Sequence, residues 1–262
     1  MVRGLYTAAA GALVAQAAAD NIANNLANVN TSGFKTTLLQ VQSAPTLDLY
    51  RIQTDPGQTA GQRTPGVSVQ QHVGTLGTGS WVYDTPTQYE QGALENTGNP
   101  LDLAISGPGF FSVQTPQGVR YTRDGQFVRN AQGLLSTQDG NLVLGQNGPV
   151  VIADGKLNIG RDGTLSVNGV VQNQLQVTQF ANSIALRKQG DNLFVDTGAA
   201  RPAPGTTSVV QQGFLEKSNA NVVRSMVDLI VAERWFDANQ KSMQTEDDAT
   251  GLAINTVGNT KQ

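Results

Sequence analysis

Apolar residues in the first thirty positions fall on a seven-residue grid. Leu5, Ala12, Ala19 and Leu26 lie seven apart, and Ala8, Ala15, Ile22 and Val29 each follow three residues later. Offsets of three and four put all eight on one helical stripe, the a and d seam of a coiled coil, over residues 4–30. Most of the stripe is alanine, so a partner helix can approach closely while little apolar area is buried per residue. Such a helix needs a partner to be stable. Thr31-Ser32-Gly33 stops it where glycine can take a positive φ. The helical pattern returns at 218–257. Val222, Leu229, Phe236 and Met243 are seven apart, Met226 and Ile230 widen the stripe, and Ser218 or Asn219 stands where a cap belongs. This second stripe is bulkier, so its large residues can pack against the alanines of the first.

Between the helices the period changes to two. Leu101, Leu103 and Ile105 alternate, as do Leu142 and Leu144, Leu157 and Ile159, and Leu165 and Val167. Asp-Gly pairs at 124–125, 139–140, 154–155 and 162–163 supply hairpin turns between these runs. Residues 45–80 lack either period. Pro45, Pro56, Gly57, Gly61, Pro65, Gly66, Gly74, Gly77 and Gly79 interrupt them, which predicts a long loop that is functional or is ordered by contact with something else. The fold class expected is α+β: N- and C-terminal helices pairing as a coiled coil and flanking a mainly antiparallel β domain. The organisation reads as an assembly helix at 1–35, an extended linker at 36–80, a β body at 81–215 and a second assembly helix at 216–262.

Composition narrows the function. Charged residues are only 14% of 262, glycine is abundant at 29, and the net charge of -3 offers nothing to a nucleic acid. There is no cysteine, so stability must come from packing or assembly. The N-terminus has one arginine and then an amphipathic alanine-rich stretch, unlike a secretory signal, and no run of apolar residues is long enough for a membrane span.

Candidate chemistry is thin. His72, the sole histidine, sits in the Gln-, Gly- and Thr-rich segment with no nucleophile motif to serve, and reads as a solvated side chain. Asp124, Asp139, Asp154 and Asp162 precede glycines and read as turn residues rather than as paired carboxylates for glycoside cleavage. Asp102 reads as a structural hydrogen-bond acceptor. Asp139-Gly140-Asn141 lacks the remaining ligands of a calcium loop, and Gly107-x-Gly109 runs into Phe110-Phe111 instead of opening a helix. Both phenylalanines read as core. Trp235 falls just off the C-terminal seam, as a subunit contact or as packing on the chain's own β domain. No catalytic residue, metal site or cofactor is expected.

Asn25, Leu26, Asn28, Thr31, Gly33, Phe34 and Lys35 together resemble the signature of the flagellar rod, hook and hook-associated axial proteins. Gly92-Ala93-Leu94, Thr97 to Ile105, Gly107 to Phe111, Tyr121 to Phe127, Gln212 to Glu216 and Ser218 to Asn221 are similar to further stretches of that family. The likeness covers nearly the whole chain outside 45–80 and is nearest the rod members. Gly98 to Asp102, Gln114-Thr115-Pro116 and Gly148 to Ile152 resemble the F-type proximal rod protein. Gly74 to Gly79 is similar to the G-type distal one, and the F type is favoured.

The resemblance implies a structural subunit that polymerises through its ends into a hollow drive shaft outside the cytoplasmic membrane, carrying torque to the hook. It would leave by the flagellar type III export apparatus without a cleaved signal. Its partners would be copies of itself and other rod and hook axial proteins, with no nucleic acid, membrane insertion or small-molecule substrate. Interface residues would be the first seam (Leu5, Ala8, Ala12, Ala15, Ala19, Ile22, Asn25, Leu26, Asn28 and Val29), then Gly33, Phe34 and Lys35, and Val222, Met226, Leu229, Phe236 and Met243 of the second. The amide face of Asn21, Asn25 and Asn28 would fix register between subunits. The rival class is an extracellular carbohydrate-binding module, which an aromatic content of 6% supports poorly.

Overall fold

The computed structural model describes residues 2–52, 70–203 and 207–258. Two helices, α1 (Val2–Ala27) and α2 (Val222–Gly258), enclose in sequence a run of short antiparallel strands, the α+β plan expected. The chain divides into two units. One comprises 1–20, 39–84 and 228–262, the other 21–38 and 85–227.

In the first unit the helices pair antiparallel. A Cβ placed on Gly4 would lie 2.6 Å from Glu246 Oε1, and one on Gly11 would lie 2.6 Å from Asn239 Oδ1. Seven residues forward in α1 match seven back in α2, so one heptad register serves both pairs. Ala8, Ala12 and Ala15 are buried, whereas Leu5, Ala19, Ile22, Leu26 and Val29 are half-buried. The contact face therefore keeps Ala8, Ala12 and Ala15 of the expected stripe and takes in Gly4 and Gly11 beside it. Alanine occupies several faces of α1, so the glycines, which allow the closest backbone approach, decide which face meets α2. On α2 the sheltered line is Leu229, Ala232, Phe236, Asn239, Met243 and Glu246, with Ala232 buried. Leu229, Phe236 and Met243 are on it as expected. Met226 and Ile230, the widening residues, are about half exposed, as is Trp235, and Val222 is also exposed. The cap is neither Ser218 nor Asn219: Asn221 Oδ1 accepts from Arg224 N at 3.0 Å.

The segment expected as an extended loop holds four strands. β1 (Gln40–Ser43) pairs with β4 (Ser80–Asp84), and β2 (Leu47–Ile52) pairs with β3 (Gln70–Leu76), both antiparallel. Glycine and proline had masked them, and no alternation betrays them because most of their side chains are exposed, Val41, Trp81 and Tyr83 among them. His72 lies on β3, half exposed, with its ring edge-on to Tyr50 and its Nε2 3.5 Å from Asp48 Oδ1. Pro56, Gly57, Gly61, Pro65 and Gly66 lie outside the described residues.

The second unit is the β body. Its largest sheet runs Leu186–Gly190, Leu193–Asp196, Gly118–Thr122, Phe110–Thr115, Leu142–Gly145, Leu135–Thr137, Phe127–Arg129. Leu157–Ile159, Thr164–Val167 and Val170–Gln174 form a separate three-stranded sheet. Adjacent residues of a strand face opposite sides. Phe111 accordingly enters a cluster with Leu103, Val113, Phe127 and Val143, while Phe110 enters another with Phe180, Leu186 and Phe194, and both are buried. Asp124 and Asp162 accept the backbone N–H two residues on, the turn role expected of them. Asp102 takes bonds from Thr97 Oγ1 and Asn99 Nδ2.

Candidate functional site

The residues of the N-terminal signature converge on the start of α2. After α1 ends, Gly33 turns the chain at φ +65°, a conformation natural to glycine. A Cβ there would also lie 2.3 Å from Asp124 N and 2.5 Å from Arg123 O, so the backbone of the body leaves no room for one. Gly33 N donates to Glu216 O at 2.7 Å, and Asn219 N donates to Phe34 O at 3.4 Å. Thr36 N in turn donates to Asn219 Oδ1 at 2.8 Å, while Asn219 Nδ2 donates to Gln88 O. The strand Phe214–Glu216, paired with Leu94–Asn96, thus delivers the chain to α2 beside the segment that leaves α1.

A buried charge cluster sits at this crossing. Lys35 Nζ lies 2.5 Å from Glu216 Oε1 and donates to Glu90 O at 2.7 Å. Arg123 Nη1 lies 3.2 Å from Glu216 Oε2, and Nη2 donates to Gly107 O at 2.8 Å. Glu216 also accepts Gly92 N at 2.9 Å. All three side chains are buried, Lys35 and Glu216 completely. Burial pulls the Lys35 ammonium below its ordinary pKa, and the Glu216 carboxylate pulls it back up. Burial lowers Arg123 in the same way against the same carboxylate. Arg123 Nε is buried with no partner.

Around the cluster the signature is pinned by other side chains. Lys188 Nζ stands 3.6 Å over the Phe34 ring and donates to Lys35 O at 3.2 Å. Burial lowers its pKa to about 8. Ser32 Oγ donates to Asp124 Oδ1 at 2.8 Å, and burial raises the Asp124 pKa against that bond and one from Gln126. Asn192 Nδ2 donates to Ser32 O at 3.1 Å.

The asparagines are committed within the chain. Asn25 Oδ1 accepts Thr37 N at 3.0 Å while its Nδ2 donates to Thr37 O at 2.8 Å, and Asn21 Nδ2 donates to the same carbonyl. Asn28 Nδ2 donates to Asn24 O. The amides of Asn21 and Asn25 therefore fasten the end of α1 to its own continuation, while that of Asn28 bonds within the helix end. Gly33, Phe34 and Lys35, expected at an interface, are buried in the junction of their own subunit. Glu216, Arg123, Asn219 and Lys188 were missed as functional residues. Glutamate and asparagine at 216 and 219 stood in a quoted motif, but a charge in sequence reads as surface. Among the described residues no group of three or more His, Asp and Glu is placed to hold a metal, and no helix is long and apolar enough to cross a membrane.

An antiparallel β body whose two ends are knitted at one buried junction and continue as helices defines a protein built around its termini. A family model described as "Flagella basal body rod protein" matches residues 5–35, "Flagellar hook protein FlgE/F/G D1 domain" matches 104–191, and "Flagellar basal body rod FlgEFG protein C-terminal" matches 211–256. The flagellar basal-body rod protein FlgG of Borreliella burgdorferi is 33% identical over 97% of this chain and 98% of its own. FlgG of Bacillus subtilis is 36% identical over 97% and 99%. FlgF of Caulobacter vibrioides is 32% identical over 98% and 99%. The chain belongs to the flagellar basal-body rod protein family, a family of structural proteins and not of enzymes.

Proposed function

We propose that this chain is a G-type, distal rod subunit that polymerises through its terminal helices into the hollow shaft joining motor and hook. FlgG proteins match it over nearly their full length at 33–36% identity in two distant bacteria, which favours the G type over the F type expected from the Gly98–Asp102 and Gly148–Ile152 stretches. The observation that carries the assembly reading is the outer face of α2: Val223, Met226, Val227, Ile230 and Trp235 are exposed along one stretch of helix. Leaving that much apolar surface in water is unfavourable, and neighbouring subunits are the natural cover. In this reading the exposed faces of β1–β4 lie against neighbours too. Heterologous, non-closing contacts then generate a helical filament, with self and other axial proteins as partners. Export without a cleaved signal and a place in the cell wall zone follow from the same reading.

Complementation tests it. The gene should restore motility and a full-length rod to a strain lacking FlgG and not to one lacking FlgF; the reverse outcome would return the F-type reading. Because the chain has no cysteine, Ile230→Cys is a unique probe. In purified basal bodies it should be shielded from a thiol reagent that labels it in the soluble chain. Intact-mass analysis of the assembled protein should show the N-terminus uncleaved.

A further inference from the structure

Glu216 bridges two cations that are far apart in sequence, Lys35 at a separation of 181 residues and Arg123 at 93. We propose that Glu216 is a closing switch. The segment 33–37 docks on the β body only once the strand Phe214–Glu216 is laid, so the N-terminal exit and the C-terminal entry are fixed together or not at all.

Without the Glu216 carboxylate, Lys35 and Arg123 are two like charges buried side by side. Lys35 would retain Glu90 O, and Arg123 would retain Gly107 O and Ile105 O at 3.4 Å. Neutral carbonyls solvate the cations but do not cancel their repulsion. No acceptor is in reserve, since Arg123 Nε already lacks a partner. Asp124, next in sequence to Arg123, accepts from Ser32 and Gln126. Removing one partner of a buried ion pair leaves an uncompensated charge, which costs far more than the pair contributes. The docked state of 33–37 is therefore conditional on residue 216. Backbone bonds enforce the same order, since Gly33 N and Thr36 N find their acceptors on Glu216 and Asn219. The α1 exit thus cannot be set before the last strand is in place.

This device does not depend on the assembly reading, and the soluble full-length chain tests it by hydrogen exchange. Glu216→Gln should speed exchange at the Gly33, Thr36 and Thr37 amides by roughly two to three and a half orders of magnitude, the size expected of an uncompensated buried charge. The strands Phe110–Thr115 and Leu142–Gly145 should stay protected. Adding Lys35→Met removes one of the two cations and their repulsion and should restore part of that protection. Wild-type-like exchange in Glu216→Gln would overturn the proposal. So would a double variant no slower than the single one, including the case where the single variant loses the whole body and the second change fails to recover it. In pulse-labelled refolding of the wild type, residues 33–37 should gain protection no earlier than 214–216, and earlier protection would equally count against the switch.

Discussion

Gly11 of α1 meets Asn239 of α2 so closely that a methyl group at 11 would lie 2.6 Å from Asn239 Oδ1. The atom in the way is a side-chain tip, so alanine displaces it, whereas a branched side chain must push the helices apart. Gly11→Val is expected to lower the thermal midpoint of the helical signal by circular dichroism. Gly251 of α2 has nothing within 4 Å of its would-be Cβ. Gly251→Ala should therefore raise that midpoint, since alanine is favoured over glycine in a helix by ~1 kcal/mol. Equal effects at both positions would mean the two helices do not depend on the notch.

Both helices and the antiparallel body could be read from periodicity, because periods of seven and two are local signals. The buried residues of α1, Ala8, Ala12 and Ala15, lie on the expected seam, but the close approach at Gly4 and Gly11 beside it carries no periodic signal. On α2 the large apolar residues drew the eye, yet Met226 and Ile230 face solvent while Ala232 and Asn239 face inward. Small and polar residues suit a partner that comes this near.

Gly33→Ala tests how rigid the junction is. Its φ of +65° strains any residue with a side chain, and the new methyl would meet backbone atoms of Arg123 and Asp124, which cannot rotate away. The strained φ alone costs about 1–3 kcal/mol, and the clash adds to it. Faster exchange at Thr36 and Thr37 with an intact β body is the expected result; an unchanged profile would show that the turn can relax.

Lys188 gives the junction a pH signature. Burial lowers its pKa to about 8 in the folded chain, against 10.5 ordinarily. Between those values the unfolded chain holds a proton that the folded chain has released, so this group makes stability rise with pH across that window. Below 8 both states are protonated and above 10.5 neither is, so the contribution levels off. In denaturant titrations from pH 7 to 10.5, wild-type stability minus that of Lys188→Met should climb through the window. A flat or falling difference would mean that the contact with the Phe34 ring holds the proton on despite burial.

The charge cluster was harder to see than either helix. Lys35 and Glu216 are polar letters in sequence, and only a contact between residues 181 apart turns them into a core pair. Tyr121 to Phe127 and Gln212 to Glu216 were visible as motifs, but their physical reason is three-dimensional. Glu216 is needed because Lys35 and Arg123 both arrive there.

Asn25 makes the most specific demand of any residue in the junction. Its amide accepts from Thr37 N and donates to Thr37 O, acting as a neighbouring strand would. Asn25→Asp keeps the size and the acceptor but removes the donor, and sets a negative oxygen against the Thr37 carbonyl. At neutral pH this should ease local opening at the Thr37 amide by about 1–3 kcal/mol, the usual cost of a lost bond with an unsatisfied partner. Once the pH falls well below the ordinary aspartate value of about 3.9, the acid regains an O–H that can donate to Thr37 O. Exchange at Thr37, corrected for its intrinsic pH dependence, should then move back toward the wild type. An Asn25→Ala variant has no such group to protonate and should show no recovery. If the aspartate variant matches the wild type at neutral pH while the alanine variant does not, the donor half of the amide contributes nothing and Asn25 matters only as an acceptor.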